Sequence, residues 1–255
     1  MQHAYYHYWQ LLVRMVHKEL QVRYKRTIFG FLWIIINPLI QMAVIGFIFP
    51  FFVKEQLPYY LLYLFTGLLT WNFFTLSLGK ATSSIVFETA LIKKARFPRS
   101  IIPLSIVISN VVNMLISFLL LLIPTVYLRL FAIVSIGYFF VGLVLLITFT
   151  IGLSLFSSAL NVRYRDINFF VQALLIVWFY ATPIMYPMRF IPHAYAPLWF
   201  LNPMTSVVQL FQHVFASYPL PSLPLFVVNT ITVFIVLGFG ILTFRRESQN
   251  FDDWL

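Results

Sequence analysis

The chain has 255 residues, of which 61% are hydrophobic and 9% carry formal charge, whereas soluble globular domains average roughly 25% charged. Its 17 Lys and Arg outnumber 7 Asp and Glu for a net charge of +10, and they cluster between long uncharged stretches. These values leave no room for a sizeable water-soluble domain, and the absence of cysteine excludes disulfides and thiolate metal sites.

The opening MQHAYYHYWQ is aromatic and polar where a signal peptide would carry a basic end and an apolar run, so no cleaved targeting segment is expected. From residue 9 to 26 a helical period emerges. Trp9, Val13, Val16 and Leu20 form one stripe, and Arg14, Lys18, Gln21 and Lys25 another. The pattern predicts an amphipathic helix within residues 1–30, apolar face toward the lipid and basic face toward phosphates. It reads either as an anchor or as a platform for a cytoplasmic partner.

Six stretches free of charge follow, at 31–53, 59–79, 100–123, 130–162, 167–188 and 222–244. Each reaches the ~20 residues that a helix needs to cross a bilayer core. Spans are expected at about 31–53, 59–79, 100–123, 133–158, 167–187 and 222–244, giving an all-α integral membrane protein with both termini on one side. Fourteen basic residues fall on that side, opposite only Lys54, Arg129 and Arg189. Basic residues near span ends stay cytoplasmic, so both termini are expected in the cytoplasm. The topology accounts for the basic charge, and no nucleic-acid partner is needed.

The second loop, 80–99, carries Glu88 among five basic residues and leads through Phe97-Pro98 to Pro103. It reads as an inside-positive loop, or as a short helix over 84–94 that touches a partner. The segment 188–221 lacks charge except at Arg189, yet Asn202, Thr205, Ser206, Gln209, Gln212 and His213 would place too many polar groups in lipid for a seventh span. Asn202-Pro203 is a helix start, with an N-cap side chain and a proline at the first helical position. Met204, Val207, Val208, Phe211 and Phe215 mark its apolar face, which predicts an external re-entrant hairpin between spans 5 and 6.

Within the six stretches no Asp, Glu, Lys, Arg or His stands ready to carry a coupling ion. A phosphate loop is absent as well, because the one Gly-Lys pair, Gly79-Lys80, has Phe74 where the motif requires its first glycine. The histidines, at 3, 7, 17, 193 and 213, are scattered without companion carboxylates, so neither catalysis nor a metal site is expected. Aromatic surface is abundant instead, at 19% of residues. Rings gather beside prolines at Trp33 to Pro38 and at Trp178, Phe179, Tyr180 and Pro183, where a proline can bend a span. Such faces with few charges suit sugars better than ions.

The stretch ELQVRYKRTIFGFLWIIINPL at 19–39, with KKARFPRSIIPLS at 93–105, NVRYRDI at 161–167, FYATPIMYP at 179–187 and FLNPMTSVVQLFQ at 200–212, resembles the permease subunits of type 2 ABC exporters of polysaccharide. That family includes O-antigen, capsule and teichoic acid translocators, and the resemblance covers essentially the whole chain. It implies a homodimer working with two copies of a separate ATP-binding subunit, which holds the ATP and Mg. It further implies an undecaprenyl-linked glycan as cargo and the bacterial cytoplasmic membrane as location. By the same resemblance Trp33, Asn37, Phe47, Trp178, Tyr180 and Tyr186 lie on the substrate pathway. Arg23, Tyr24, Lys25, Glu88, Lys93 and Lys94 belong to the interface helix and the coupling loop. An O-antigen-like glycan is the first expectation, with teichoic acid or capsular polysaccharide as the alternative. A membrane-embedded enzyme of envelope glycan assembly is the reading from another class.

Overall fold

A computed structural model describes residues 2–25, 29–52, 57–95 and 97–254. Among them the chain is helical and contains no strand. Helix α1 spans Gln2–Tyr24, and α2 spans Trp33–Phe52 after a short 3-10 turn. Helix α3 (Tyr60–Phe87) leads directly into the short α4 (Thr89–Lys94). The long helices α5 (Ile101–Tyr127) and α6 (Ser135–Arg163) follow, then α7 (Asp166–Tyr180). Two 3-10 turns and α8 (Ala196–Phe200) lead to α9 (Pro203–Ala216), α10 (Leu223–Glu247) and the terminal α11 (Phe251–Trp254).

By length and composition, α3, α5, α6 and α10 can each cross a membrane. Two further apolar helices are shorter, the 17-residue stretch Ile35–Phe51 within α2 and the 15 residues of α7. At ~1.5 Å per residue α7 reaches about 22 Å, less than a ~30 Å hydrocarbon core. The uncharged stretch 167–187 therefore does not form one continuous helix. It stops at Tyr180, and residues 181–186 turn back. Pro183 lacks the N–H that another helical turn would use, and its ring disfavours helical backbone at Thr182. It bends no span, as it lies beyond the end of α7. The second expected span also differs, because α3 does not end at Gly79 but continues two turns through Lys80 to Phe87. Lack of charge marks what lipid tolerates, whereas backbone hydrogen bonding sets where a helix stops.

Helix α3 is the central element, packed against α2, α5, α6, α7 and α9. Its buried face alternates rings with small hydroxyl residues. Thr66, Thr70 and Thr82 each donate to the carbonyl four residues back, at 2.7 to 2.9 Å, and so remain satisfied without water. Between helices, Thr82 meets Ser157 of α6 at 2.8 Å, and Asn110 of α5 donates to Ser77 at 3.1 Å. Phe74 stacks on Phe149, and Phe118 stacks on both Phe211 and Phe215.

The helices α6 and α10 make the closest approach in the bundle. A Cβ built on Gly240 would lie 2.1 Å from the Gly152 carbonyl oxygen, and one on Gly152 would lie 2.8 Å from the Leu237 Cα. The backbones touch there. In lipid, where no hydrophobic effect drives helices together, such small-residue crossings supply the dispersion contact that holds a pair.

At the end of the bundle where basic residues gather, Met15 of α1 joins Ile85, Ile92, Ile102, Leu155, Phe244 and Phe251 in a second apolar cluster. The face of α1 turned to the bundle is thus Leu11, Leu12 and Met15, while Trp9 and Val13 of the anticipated apolar stripe remain exposed. Two ion pairs of opposite sense clamp α1 in place. Lys18 meets Glu88 at 2.5 Å, and the adjacent Glu19 meets Lys80. At the other end Tyr63 donates to the carbonyls of Pro183 and Tyr186, Tyr60 to that of Met185, and Tyr218 to that of Pro58. These phenols tie the turn after α7, and the close of α9, to the start of α3.

The α6–α10 crossing makes a sharp expectation. Gly240→Ala should cost at least the ~1–3 kcal/mol of overpacking. Gly238→Ala, with open space around its site, should be neutral or slightly stabilising. Thermal unfolding in detergent checks both, and equal tolerance at the two sites would refute the crossing. The clamp makes a second. Glu88→Lys should loosen α1 and Lys18→Glu should restore it, with a coupling of about 0.2–1 kcal/mol for this half-exposed pair. A double-mutant cycle measured by protease resistance of α1 reads it, and zero coupling refutes it.

Candidate functional site: a cavity between four helices

A cavity of about 1060 Å³ opens between α2, α3, α5 and α7. Each helix gives it one face, legible as helical spacing. Trp33, Asn37, Gln41 and Ile45 recur every four residues on α2. Asn72, Thr75 and Gly79 line it from α3, and Asn110, Asn113 and Ser117 from α5, both at i, i+3 and i+7. The α7 face runs from Gln172 through Ile176 to Phe179 and Tyr180. The aromatic wall is continuous on one side, because Trp71 touches Phe179 with ring centroids 5.8 Å apart and Phe179 meets Tyr180 edge-on at 5.3 Å.

The lining is polar but nearly without charge. Lys80 is the one charged side chain among the described lining residues, and Glu19 already pairs with it from α1. The cavity therefore reaches the clamped basic end of the bundle. Amides supply most of the remaining polarity, from Asn37, Gln41, Asn72, Asn110, Asn113 and Gln172, beside the hydroxyls of Thr75, Ser117 and Tyr180. Such a space presents rings and neutral donor–acceptor groups, which suits a ligand that is itself uncharged, ring-shaped and rich in hydrogen bonds.

Of the pathway residues expected from sequence, the cavity brings together Trp33, Asn37 and Tyr180. Phe47 is exposed farther along α2, edge-on to Phe51, and lines no part of it. Trp178 points the other way. Its ring packs edge-on to Phe74 and Phe149, and its indole N–H donates to Asn202 at 2.8 Å. Tyr186 is half-buried in the outer turn and donates to the Tyr180 carbonyl at 2.7 Å. Sequence reading attended to charges and rings and so missed the amides of α3, α5 and α7. Their signal was the recurrence of Asn, Gln and Ser at helical spacing inside uncharged stretches.

Asn202 does what its position predicted. Its side chain accepts from the Met204 N–H at 3.1 Å and caps α9. It also accepts from Trp178 and donates to Ala181 and Thr182, so one amide joins α7 to α9. Asn229 similarly accepts from Ser206 and donates to Phe200, holding α8 and α9 on α10. Asn113 contrasts with both, since it is buried and neither amide atom finds a partner among the described residues. An unmade pair of this kind costs about 1–3 kcal/mol, so something must justify its retention.

At the basic end, Lys93 and Lys94 are exposed in the last turn of α4, and Lys25 is exposed after α1. Glu88 is engaged with Lys18 rather than presented outward. The side chains of Arg23 and Tyr24 lie outside the described residues. So does that of His193, while His213 has a ring nitrogen 2.7 Å from the Tyr218 carbonyl oxygen. Among the described residues no group of His, Cys, Asp and Glu could hold a metal ion.

Comparison with known proteins agrees with this geometry. Residues 10–216 match the model of the ABC-2 type transporter family. A Myxococcus xanthus protein named O-antigen export system permease protein RfbA is 33% identical over 255 residues, covering 95% of each chain. A Klebsiella pneumoniae protein of the same name is 33% identical over 263 residues, covering 96% of this chain and 95% of its own. The family match over most of the chain and the near end-to-end similarity decide it: the chain belongs to the ABC-2 type transporter family, as a multi-pass membrane permease and not an enzyme.

Proposed function

We propose that this permease is the transmembrane subunit of an ATP-driven exporter that moves a lipid-linked, O-antigen-like polysaccharide across the bacterial cytoplasmic membrane. The observation that carries the reading is the cavity, whose rings and amides match sugar faces and hydroxyls, and whose one cation among the described lining residues is already paired. The names of the relatives point the same way. A teichoic acid would bring a phosphate with every repeat, and among the described residues the lining has no free positive charge to receive a polyanion. That favours the neutral glycan.

In this reading two permeases and two ATP-binding subunits form the working unit, and ATP and Mg belong to the partner. Six segments enter the membrane, namely α2, α3, α5, α6, α7 with its following turn, and α10. Helices α8 and α9 dip in from outside as a re-entrant pair, which the buried polar ties at Asn202 and Asn229 support. Both termini face the cytoplasm, as the gathering of basic residues supports. Helix α1 lies at the interface with Trp9 and Val13 toward lipid, and α4 presents Lys93 and Lys94 to the ATP-binding partner. Arg23, Tyr24 and Lys25 extend the same basic surface. Trp33, Asn37 and Tyr180 line the path, while Phe47, Trp178 and Tyr186 bound or brace it.

The mechanism follows from where the charges are. The six uncharged stretches offer no Asp, Glu, Lys, Arg or His to harvest an ion gradient, so work enters through the clamped end. A displacement of α4 by the partner reaches α1 through Glu88–Lys18 and the cavity mouth through Glu19–Lys80. Reconstituted alone, the chain should hydrolyse no ATP, and addition of the co-expressed ATP-binding subunit should produce ATP-dependent polysaccharide translocation into vesicles. Hydrolysis by the isolated chain overturns the reading. Trp33→Ala and Tyr180→Ala should each slow export about 2- to 12-fold, the effect of losing one aromatic contact of ~0.5–1.5 kcal/mol, without loss of complex assembly. Wild-type export rates in both variants would remove the aromatic path.

A further inference from the structure

The outstanding feature of the cavity is Asn113, on the α5 face between Asn110 and Ser117. Every other buried asparagine has a partner: Asn110 on Ser77, Asn161 on the Asn168 N–H, and Asn202 and Asn229 in their networks. Asn113 is 95% buried by its 5% residual exposure, lines the cavity, and has both Nδ2 and Oδ1 unmatched among the described residues. In a helix meant only for packing, Leu or Met would fill the position at lower cost, as Met114 beside it does.

An unmatched amide defines the chemistry of what would satisfy it. It has donors on nitrogen and an acceptor on oxygen, so a full match must both accept and donate. An anion offers acceptors only and leaves Oδ1 unmade. A cation offers donors only and leaves Nδ2 unmade. Adjacent sugar hydroxyls, or an acetamido group, satisfy both atoms at once. The surroundings agree, since the aromatic wall of Trp71 and Phe179 offers the negative ring faces that C–H groups prefer, and the one cation among the described lining residues is neutralised by Glu19. Access requires only that a wall yield, and α2, the helix bearing Asn37 and Gln41, buries Pro38 alone among its described side chains.

We propose that Asn113 is the hydrogen-bonding contact of a saccharide subsite on α5 that selects uncharged sugar units carrying both donors and acceptors. The proposal rests on the export reading above, and it assigns specificity to a residue of α5 rather than to the aromatic helices α2 and α7. Because the amide is unmade before sugar arrives, its removal should not harm the fold.

The test uses the full chain in lipid nanodiscs, titrated calorimetrically with chitotetraose as the neutral acetamido probe and with linear tetraphosphate, a phosphate tetramer that offers acceptors only, as the anionic one. Wild type should bind chitotetraose saturably and the phosphate tetramer at least 10-fold more weakly. Asn113→Leu should weaken chitotetraose binding at least 10-fold while its melting temperature equals or exceeds that of wild type. Asn113→Gln, which keeps both functions, should bind within 3-fold. The proposal is overturned by absent binding to wild type, by equal binding in Asn113→Leu, or by equal affinity for the two probes. It is likewise overturned if Asn113→Leu lowers the melting temperature or the dimer fraction, because the amide would then serve packing or a second copy of the chain. Export assays separate the two levels. Wild-type vesicles that translocate no polysaccharide sink the export reading, whereas ATP-driven translocation that Asn113→Leu leaves unchanged sinks only the subsite.

Discussion

Much of this bundle depends on one constraint: a buried polar group has no water to turn to, so its partner comes from the chain itself, with Asn113 and Ser154 among the exceptions. Hydroxyls on α3, α5 and α6 meet this locally by donating to the preceding turn. Amides meet it across helices. Asn202 and Asn229 each make several contacts, and between them they fasten α7, α8, α9 and α10. The constraint also explains the turn at 181–186, where backbone that has left the helix is covered by phenol donors from Tyr60 and Tyr63. Irregular chain persists there because side chains of α3 supply what a helix would have supplied.

The same rule shows why some features were legible in the sequence and others were not. Charges are excluded from lipid, so four of the uncharged stretches fall on the helices long enough to cross a membrane, α3, α5, α6 and α10, and the Asn202-Pro203 start of α9 followed from local capping chemistry. Helix ends did not follow. Gly79-Lys80 looked like a boundary because a charge stood there, yet the helix runs on because Lys80 finds Glu19. Trp178 and Tyr180 looked equivalent as rings near the end of one span. Two residues apart on a helix they point about 200° apart, and only tertiary context tells the brace from the wall. The amide stripe of Asn110, Asn113 and Ser117 could have been read from spacing alone, and a search confined to ionisable residues passed over it.

Rigidity is unevenly distributed through these contacts. At the α6–α10 crossing, backbone meets backbone through Gly152 and Gly240, and a contact between main chains has no rotamer to yield. Helix α3 is buried along most of its length between α5, α6 and α9. Helices α2 and α7 are different. Helix α7 buries only Val171 and Leu175, and α2 leans chiefly on α3. Few buried contacts mean a low cost of displacement, so these two walls of the cavity are the elements that can separate while the rest holds.

A conduit driven from one end needs such a division, because a push on a uniformly soft bundle dissipates and a push on a uniformly stiff one opens nothing. Here the stiff part carries the load. Helix α4 continues α3 with a single break at Glu88, whose backbone N–H still bonds the Ser84 carbonyl, so the two act as one lever. The lever is pinned to α1 before the break and at it, by Lys80–Glu19 and by Glu88–Lys18. Each pair is weak and partly solvated, but together they oppose rotation about the helix axis, which neither does alone. A rotation of α4 would therefore pass to α1 and to the Lys80 end of the cavity together. In the export reading proposed above, the paired charges at that end link an external ATP-binding partner to the cavity.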